Sequence, residues 1–497
     1  MGICRRDFCR FALAGAATRV FATPARPKLL VIVLPGQFRA EYLDSSRPQL
    51  APGGIRKLLE KGAVFHNCLN RASTFPTTSL ATLATGAWPA QHGIVADRWY
   101  DRVSRAAVPA GEETLFGSTL LSEIASDSRA RIAVVAGSRE QAALFAAGVP
   151  AGDEPHLFWI DAEGRFASDG DQPEWLLNLH SPNSPEASRN AKWLALGAKP
   201  DAPPLRTLTW TPEAPADFMA LYRSSPCELA AVFDLAAEVL SRNRFGQANT
   251  FDVLCILPGA MERLGYETGA RSALMQQLVL HLDRRIETLL AQLAKVPGEN
   301  QFAFALAGAH GVALEPGPEA RARMAVAGEP LAQAIQNSLT DQHQTGVLRY
   351  VYPFLYLKLD RFREFDAEIV RQIAARAALA QPSVAAFYTA GGACSFHDEW
   401  ERRFRNSFHP VRSGDVMLAY RPGYIESSGL DRGISYGSLY NYDACVPLLF
   451  YGPSYFHAGI FEQTVDAVDF APTLARVAGV APPSFSSGRV LGEALVE

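Results

Sequence analysis

The chain has 497 residues, of which 48% are hydrophobic and 20% charged, with a formal net charge of −4. That length allows one large α/β domain with insertions, or two domains. The composition excludes a disordered chain, and the absence of any long Lys/Arg run excludes a nucleic-acid-binding footprint.

The first 27 residues join Arg5 and Arg6, followed by Asp7 and Phe8, to a short apolar run and then small residues and prolines. This layout predicts a bacterial twin-arginine export signal and a periplasmic or otherwise exported protein. The competing reading is a merely basic N-terminus, since Arg19 interrupts the apolar run and no clean Ala-x-Ala site follows. No other stretch offers the ~18 consecutive apolar residues of a membrane span. Cys68, Cys227, Cys255, Cys394 and Cys445 fall in the body of the chain without CxxC or metal-finger spacing. Neither a disulfide framework nor a zinc ribbon is expected from them.

Leu29 to Leu34 is a continuous apolar run between prolines, the pattern of a strand buried on both faces. An amphipathic helix follows from Ile55 to Gly62, then a strand from Ala63 to Leu69 and a helix from Ser79 to Thr85. Further buried strands are predicted at Ile132–Val135, Phe251–Leu257, Phe302–Leu306 and Pro447–Phe450, with long helices at Pro226–Arg242 and Arg271–Leu293. This alternation predicts a three-layer α/β/α sandwich with a mostly parallel central sheet over residues 28–497. Two stretches fit it poorly, about 152–224, rich in Pro, Trp, Asp and Ser, and 317–429, with its own strand (Val351–Leu357) and helix (Ala367–Ala380). Both read as insertions capping the ligand edge of the sheet, where they would select a substrate or partner.

Several segments carry a resemblance: GQFRAEYL after the first strand, TLATGAWPAQHGIVADRWYDR, ERLGYETGARS, AGAHGV, SFHPVRSGDV and YNYDACVPLLFYGP. Their order and spacing resemble the alkaline phosphatase superfamily, in particular its type I phosphodiesterase/nucleotide pyrophosphatase branch and its phosphate-insensitive periplasmic alkaline phosphatases. The resemblance implies a pair of zinc ions held by about six Asp and His ligands. It also implies a Thr or Ser nucleophile at a helix N-terminus, where the backbone N–H groups and the helix dipole favour an anion.

Carried over position by position, the resemblance points to missing reagents. The carboxylate expected after the first strand is Gly36, in Gly36-Gln37-Phe38-Arg39. The nucleophile, ten positions before Gly86, is Pro76, which has no hydroxyl, leaving Thr74, Thr77 and Thr78 as neighbours that could substitute only if the turn slips. A Thr before a helix also reads as an N-cap. The segment supplying two ligands to one metal reads Glu262-Arg263-Leu264-Gly265-Tyr266, so Glu262 retains a ligand and Tyr266 replaces one. The segment serving the other metal reads Ala309-His310-Gly311, and the last His of the set is Cys445. Groups that would contact phosphate are replaced by Asp97, Ser138 and Glu140, which puts two acids where an amide and cations would stand.

Three readings follow. The first is an exported, non-catalytic member with a binding or structural role, no cofactor, and a small-molecule or protein ligand in the altered cleft. The second is an active phosphate-ester hydrolase with one zinc held by Glu262, His310 and Cys445 and a water nucleophile. Against it, His310 aligns with a ligand of a different metal from Glu262 and Cys445, and His310 and Cys445 also read as a hydrogen-bonded core histidine and a small buried residue. The third is unrelated chemistry in the same crevice. His409 and Arg412 read as structural, and no role is assigned to His66, His92, His156 or His281.

Overall fold

The apolar run after Lys28 forms β1 (Leu29–Val33), and all five of its side chains are buried. The computed structural model describes residues 26–127, 129–152, 156–313, 325–326, 328–343, 345–426 and 436–496. The expected export signal lies almost wholly outside these residues, as do parts of the 317–429 segment. In chain order the elements that place the site are α1 (Ile55–Lys61), β2 (Ala63–Leu69), α2 (Pro76–Thr85), β3 (Ala130–Ala136), α3 (Arg139–Phe145), β4 (Leu157–Ile160), β5 (Phe166–Ser168), α4 (Pro226–Arg242), β6 (Phe251–Leu257), α5 (Ala260–Thr268), α6 (Ala273–Leu293) and β7 (Phe302–Ala307). After them come β8 (Val347–Val351), β9 (Phe354–Leu357), α7 (Glu364–Leu379), β10 (Val384–Thr389), β11 (Val416–Tyr420), β12 (Cys445–Tyr451), β13 (Gly459–Phe461), β14 (Val465–Asp466) and α8 (Phe470–Ala478).

The central sheet runs β13-β2-β12-β7-β1-β6-β3-β4-β5, with β14 paired to β2. Its middle is parallel: Leu29 of β1 lies opposite Asp252 of β6 on one side and Phe302 of β7 on the other. β12 inserts antiparallel between β7 and β2. Alternate residues of β1 serve opposite faces, because successive side chains of a strand point to opposite sides. Leu29, Val31 and Val33 join a core with Leu229 and Val232 of α4, Met261 of α5 and Leu282 of α6. Leu30 and Ile32 join a second core with Leu83 of α2, Phe145 of α3 and Leu474 of α8. Two helical layers therefore sandwich the sheet, as the alternation of elements predicted.

Local chemistry sets several boundaries. Helix α2 begins at Pro76 rather than Ser79, since a proline at the first helical position costs no hydrogen bond and has a helical φ already. It ends at Gly86, which adopts the left-handed conformation at φ 64°. Helix α6 starts at Ala273 because the Ser272 side chain caps it, accepting from the Met275 N–H at 3.1 Å. Helix α1 is held at its start by a distant residue: Asp283 of α6 accepts from Ala51 N at 2.6 Å and Ile55 N at 2.7 Å.

The stretch assigned by sequence to an insertion at 152–224 contributes β4 and β5 to the central sheet itself, β4 parallel to β3. Within 317–429 the single strand expected over Val351–Leu357 is two strands, β8 and β9, with Pro353 in the turn between them. Proline cannot donate to a ladder, so it breaks the run. These strands form an antiparallel sheet in the order β8-β9-β11-β10, with α7 packed on it. Its other face meets the region around α2: Phe354, Tyr356 and Phe404 share a core with Phe75 and Ala81.

Candidate functional site

The site residues gather at the carboxyl ends of the parallel strands, where open α/β sheets bind ligands. β1 leads into Gly36-Gln37, β6 into α5 with Glu262 and Tyr266, and β7 into Ala309 and His310. Pro76 and Thr77 open α2 beside them, and the segment from Tyr436 to Cys445 closes the far side.

Glu262, in the first turn of α5, fills the space next to Gly36. A Cβ at position 36 would lie 2.7 Å from Glu262 Oε2 and 3.0 Å from its Cβ, so no side chain fits there with Glu262 in place. Gln141 of α3 reaches the same oxygen at 3.5 Å. Burial, followed by repulsion from Asp97, raises the Glu262 carboxyl to about 7, against a smaller pull from Arg263. The neighbouring Gln37 sits at φ 53°, an uncommon conformation for a residue with a Cβ, and both ends of its buried amide lack a partner. Its Oε1 presses on Gly265, where a Cβ would meet it at 1.8 Å. Only glycine fits at 265 with Gln37 in this pose.

The three threonines have separate tasks. Thr74 donates to Ser438 O at 2.8 Å, and Thr78 Oγ1 donates to Ser73 O and Phe75 O at 2.8 and 2.9 Å. Thr77, at the second position of α2, points instead to a carboxylate: Oγ1 donates to Asp97 Oδ1 at 2.7 Å, with its backbone N–H at 3.3 Å. Asp97 also accepts a hydrogen bond from Tyr436, and burial raises its carboxyl above the usual range despite these donors. Pro76 provides no hydroxyl and Phe75 before it makes no side-chain cap.

His310 is fully buried. Its Nδ1 lies 2.8 Å from Gly311 O, which can only accept, so Nδ1 carries the proton. Burial lowers its pKa to about 4, so the ring is neutral and Nε2 is a bare acceptor, which has no partner. Asp443 is likewise buried; Ser438 donates to Oδ2 from N at 3.2 Å and from Oγ at 2.5 Å, while Oδ1 has no partner. Burial pushes this carboxyl to about 7, against the pull of Ser438 and Arg39. Cys445, at the start of β12, is a free, half-buried thiol raised above its ordinary pKa by burial. Ala309 is buried and offers only its methyl group.

The structure thus brings Glu262, Tyr266, Asp97 and His310 around Tyr436, with Thr77 joined to the group through Asp97. Among the described residues, however, no three His, Cys, Asp or Glu side chains are grouped so as to hold a metal ion. Ser138 caps α3, accepting from Gln141 N at 3.4 Å, and Glu140 is exposed. Arg412 has the structural role expected of it, donating to Gly93 O at 2.6 Å and Thr114 O at 2.5 Å while stacked 3.9 Å over Phe116. Tyr436 was not legible in the sequence: it sits outside every motif, and only the fold sets its ring 5.8 Å from Tyr266 and 6.2 Å from His310.

Residues 29–432 match the model of the type I phosphodiesterase / nucleotide pyrophosphatase family. The chain belongs to this family. Among its relatives is the alkaline phosphatase PafA of Elizabethkingia meningoseptica, 24% identical with 96% of each chain covered. The alkaline phosphatase PhoV of Synechococcus elongatus is 22% identical, covering 95% of this chain and 94% of that one. The crystal structure of PafA superposes with a TM-score of 0.78 at 21% identity, over 95% of this chain and 99% of that one. Murine ectonucleotide pyrophosphatase/phosphodiesterase 5, solved as an inactive variant with AMP, gives 0.57 at 13% identity, over 95% of this chain and 100% of that one. The chain is an α/β member of the alkaline phosphatase superfamily with a PafA-like fold.

Proposed function

We propose that this protein is a member of its family that no longer hydrolyses phosphate esters by two-metal chemistry and instead binds a ligand in the altered cleft. The observation that carries this reading is the Glu262 carboxylate standing 2.7 Å from where a Cβ at position 36 would be, so that Glu262 occupies the space a side chain at position 36 would take and would have to move aside for one. The surrounding donor set does not fit a zinc pair either: Tyr266 and Ala309 stand at ligand positions and Cys445 is held as a thiol. Glu262, His310 and Cys445 are not gathered into a three-ligand group among the described residues. Pro76 stands where the nucleophile would be, and loss of a nucleophile typically costs several orders of magnitude in rate.

A second reading, hydrolysis through a different hydroxyl, has one observation in its favour: Thr77 Oγ1 donates to the Asp97 carboxylate at 2.7 Å near a helix N-terminus. Against it, two acids facing the same cleft repel a phosphate dianion. Export through a twin-arginine signal remains part of the proposal, supported by Arg5 and Arg6. Among the described residues no helix is long and apolar enough to cross a membrane.

The test is metal analysis of the purified protein together with assays on aryl phosphate mono- and diesters with added zinc. The expected result is no stoichiometric zinc and no turnover above the metal-only background. Stoichiometric zinc with turnover that disappears on Glu262→Gln or Thr77→Ala overturns the reading.

A further inference from the structure

A cavity of about 870 Å³ is lined wholly by residues between Asp161 and Met219, none of them among those grouped around Tyr436. Its size falls within the ~300–1,000 Å³ typical of small-molecule sites. The floor is a seam between two apolar clusters. Phe166, Leu176 and Leu179 join the core of Leu29, Val31 and Val33, while Trp210, Phe218 and Met219 belong to the smaller cluster around Tyr222. Gln172 and His180 add hydrogen-bonding groups at the rim.

A hairpin sets the polar end of this cavity. Lys192–Trp193 pairs antiparallel with Arg206–Thr207, and the ladder continues through Leu208 N to Ala191 O and Asn190 N to Leu208 O, both 2.9 Å. Arg189 and Trp210 flank the hairpin and so come together. Between them Asn190, in the left-handed conformation at φ 59° that Asn tolerates, accepts from the Trp210 backbone N–H at 3.1 Å. The Arg189 guanidinium lies 4.3 Å over the Trp210 ring. Among the described residues it has no carboxylate partner, so a cation held in place by stacking keeps its N–H donors unspent. The acids at the rim differ from one another. Arg165 pairs with Asp161 and Glu163 at 2.9 and 3.1 Å, whereas Glu186 is exposed and unpaired among the described residues.

We propose that this cavity binds an amphipathic organic anion, an aryl or alkyl carboxylate, with its apolar body against Leu176, Phe218 and Met219 and its head group on Arg189. A planar guanidinium fork donating to a carboxylate is the strongest polar contact these walls offer. An organic cation fits less well, because Trp210, the ring best suited to it, already carries Arg189. A small inorganic anion leaves the apolar floor in water. Glu186 opposes an anion but does not cancel the site, since it is exposed and its charge is screened. The cavity shares no lining residue with the group around Tyr436, so binding here is independent of the chemistry that the cleft retains.

The test is calorimetric titration of the purified protein at fixed ionic strength with three ligands of one skeleton, phenylbutyrate, phenylbutyramide and phenylbutylamine, and with acetate. Phenylbutyrate is expected to bind at millimolar affinity or tighter, and the amide and the amine at least about tenfold more weakly. Acetate is expected to give no saturable heat. Arg189→Gln should weaken phenylbutyrate by about tenfold, to the level of the amide, and leave the amide unchanged. Arg189 is exposed, so this variant keeps the fold. Glu186→Gln removes the opposing charge and should strengthen phenylbutyrate by about twofold or more. Equal affinity for the acid and the amide, preference for the amine, phenylbutyrate binding that Arg189→Gln leaves unchanged, weaker binding in Glu186→Gln, or no phenylbutyrate binding at all overturns the proposal.

Discussion

Gly36→Ala measures how completely Glu262 has taken over its neighbour's space. The added methyl would sit 2.7 Å from Glu262 Oε2, 3.0 Å from Glu262 Cβ and 3.4 Å from its Cγ. The carboxylate can swing aside by rotating its side chain, but Cβ is fixed to the backbone of α5 and moves only if the helix or the 36–37 turn shifts. Overpacking of this kind costs about 1–3 kcal/mol, and with part of the clash flexible the lower half of that range applies. The assay is equilibrium denaturation by urea in a double-mutant cycle with Glu262→Gly, which removes all three crowding atoms. Gly36→Ala should destabilise the native background by ~1–2 kcal/mol and be close to neutral beside Glu262→Gly, a coupling of the size seen between residues in contact. Equal destabilisation in both backgrounds would mean that the space next to Gly36 is limited by something other than Glu262, and the reasoning about the lost ligand position would fall with it.

Glu228 of α4 accepts from Gly259 N at 3.1 Å and Ala260 N at 3.0 Å, capping α5, and burial raises its carboxyl to about 7. A carboxyl whose folded pKa lies above its unfolded value of 4.5 gives stability that is fully present below 4.5 and lost as pH rises through 7, by ~3 kcal/mol at 1.36 kcal/mol per unit. Glu228→Gln should therefore flatten the decline in stability between pH 5 and 8, and an unchanged pH profile would contradict it. Asp283→Ala leaves the N–H groups of Ala51 and Ile55 without their acceptor and should cost about 2–4 kcal/mol, read as a lower denaturation midpoint and faster amide exchange across α1. Arg412→Ala removes donors to Gly93 O and Thr114 O along with the stacking on Phe116, and should destabilise by about 2–3 kcal/mol while leaving ligand binding in the cleft unchanged.

The sequence by itself determined the layers, because each element advertises its burial locally. Leu29–Val33 has no polar position and must be covered on both faces, and the predicted limits of Pro226–Arg242, Ala63–Leu69 and Phe251–Leu257 match the observed elements. The positions Gly36, Pro76, Tyr266, Ala309 and Cys445 are singled out in the sequence only through the family resemblance. What the tertiary structure decided is how the space around them is used. Glu262 and Gly36 are far apart in sequence, and only the pairing of β1 with β6 brings their chain ends together. The same holds for Thr77, whose hydroxyl reads as a cap or a substitute nucleophile until Asp97 is placed 2.7 Å away, and for Tyr436, which no motif marks. Strand and helix signals are set by neighbours along the chain. A cleft is set by loops from separate strands, and its unpaired acceptors exist only once those loops exclude water from one another.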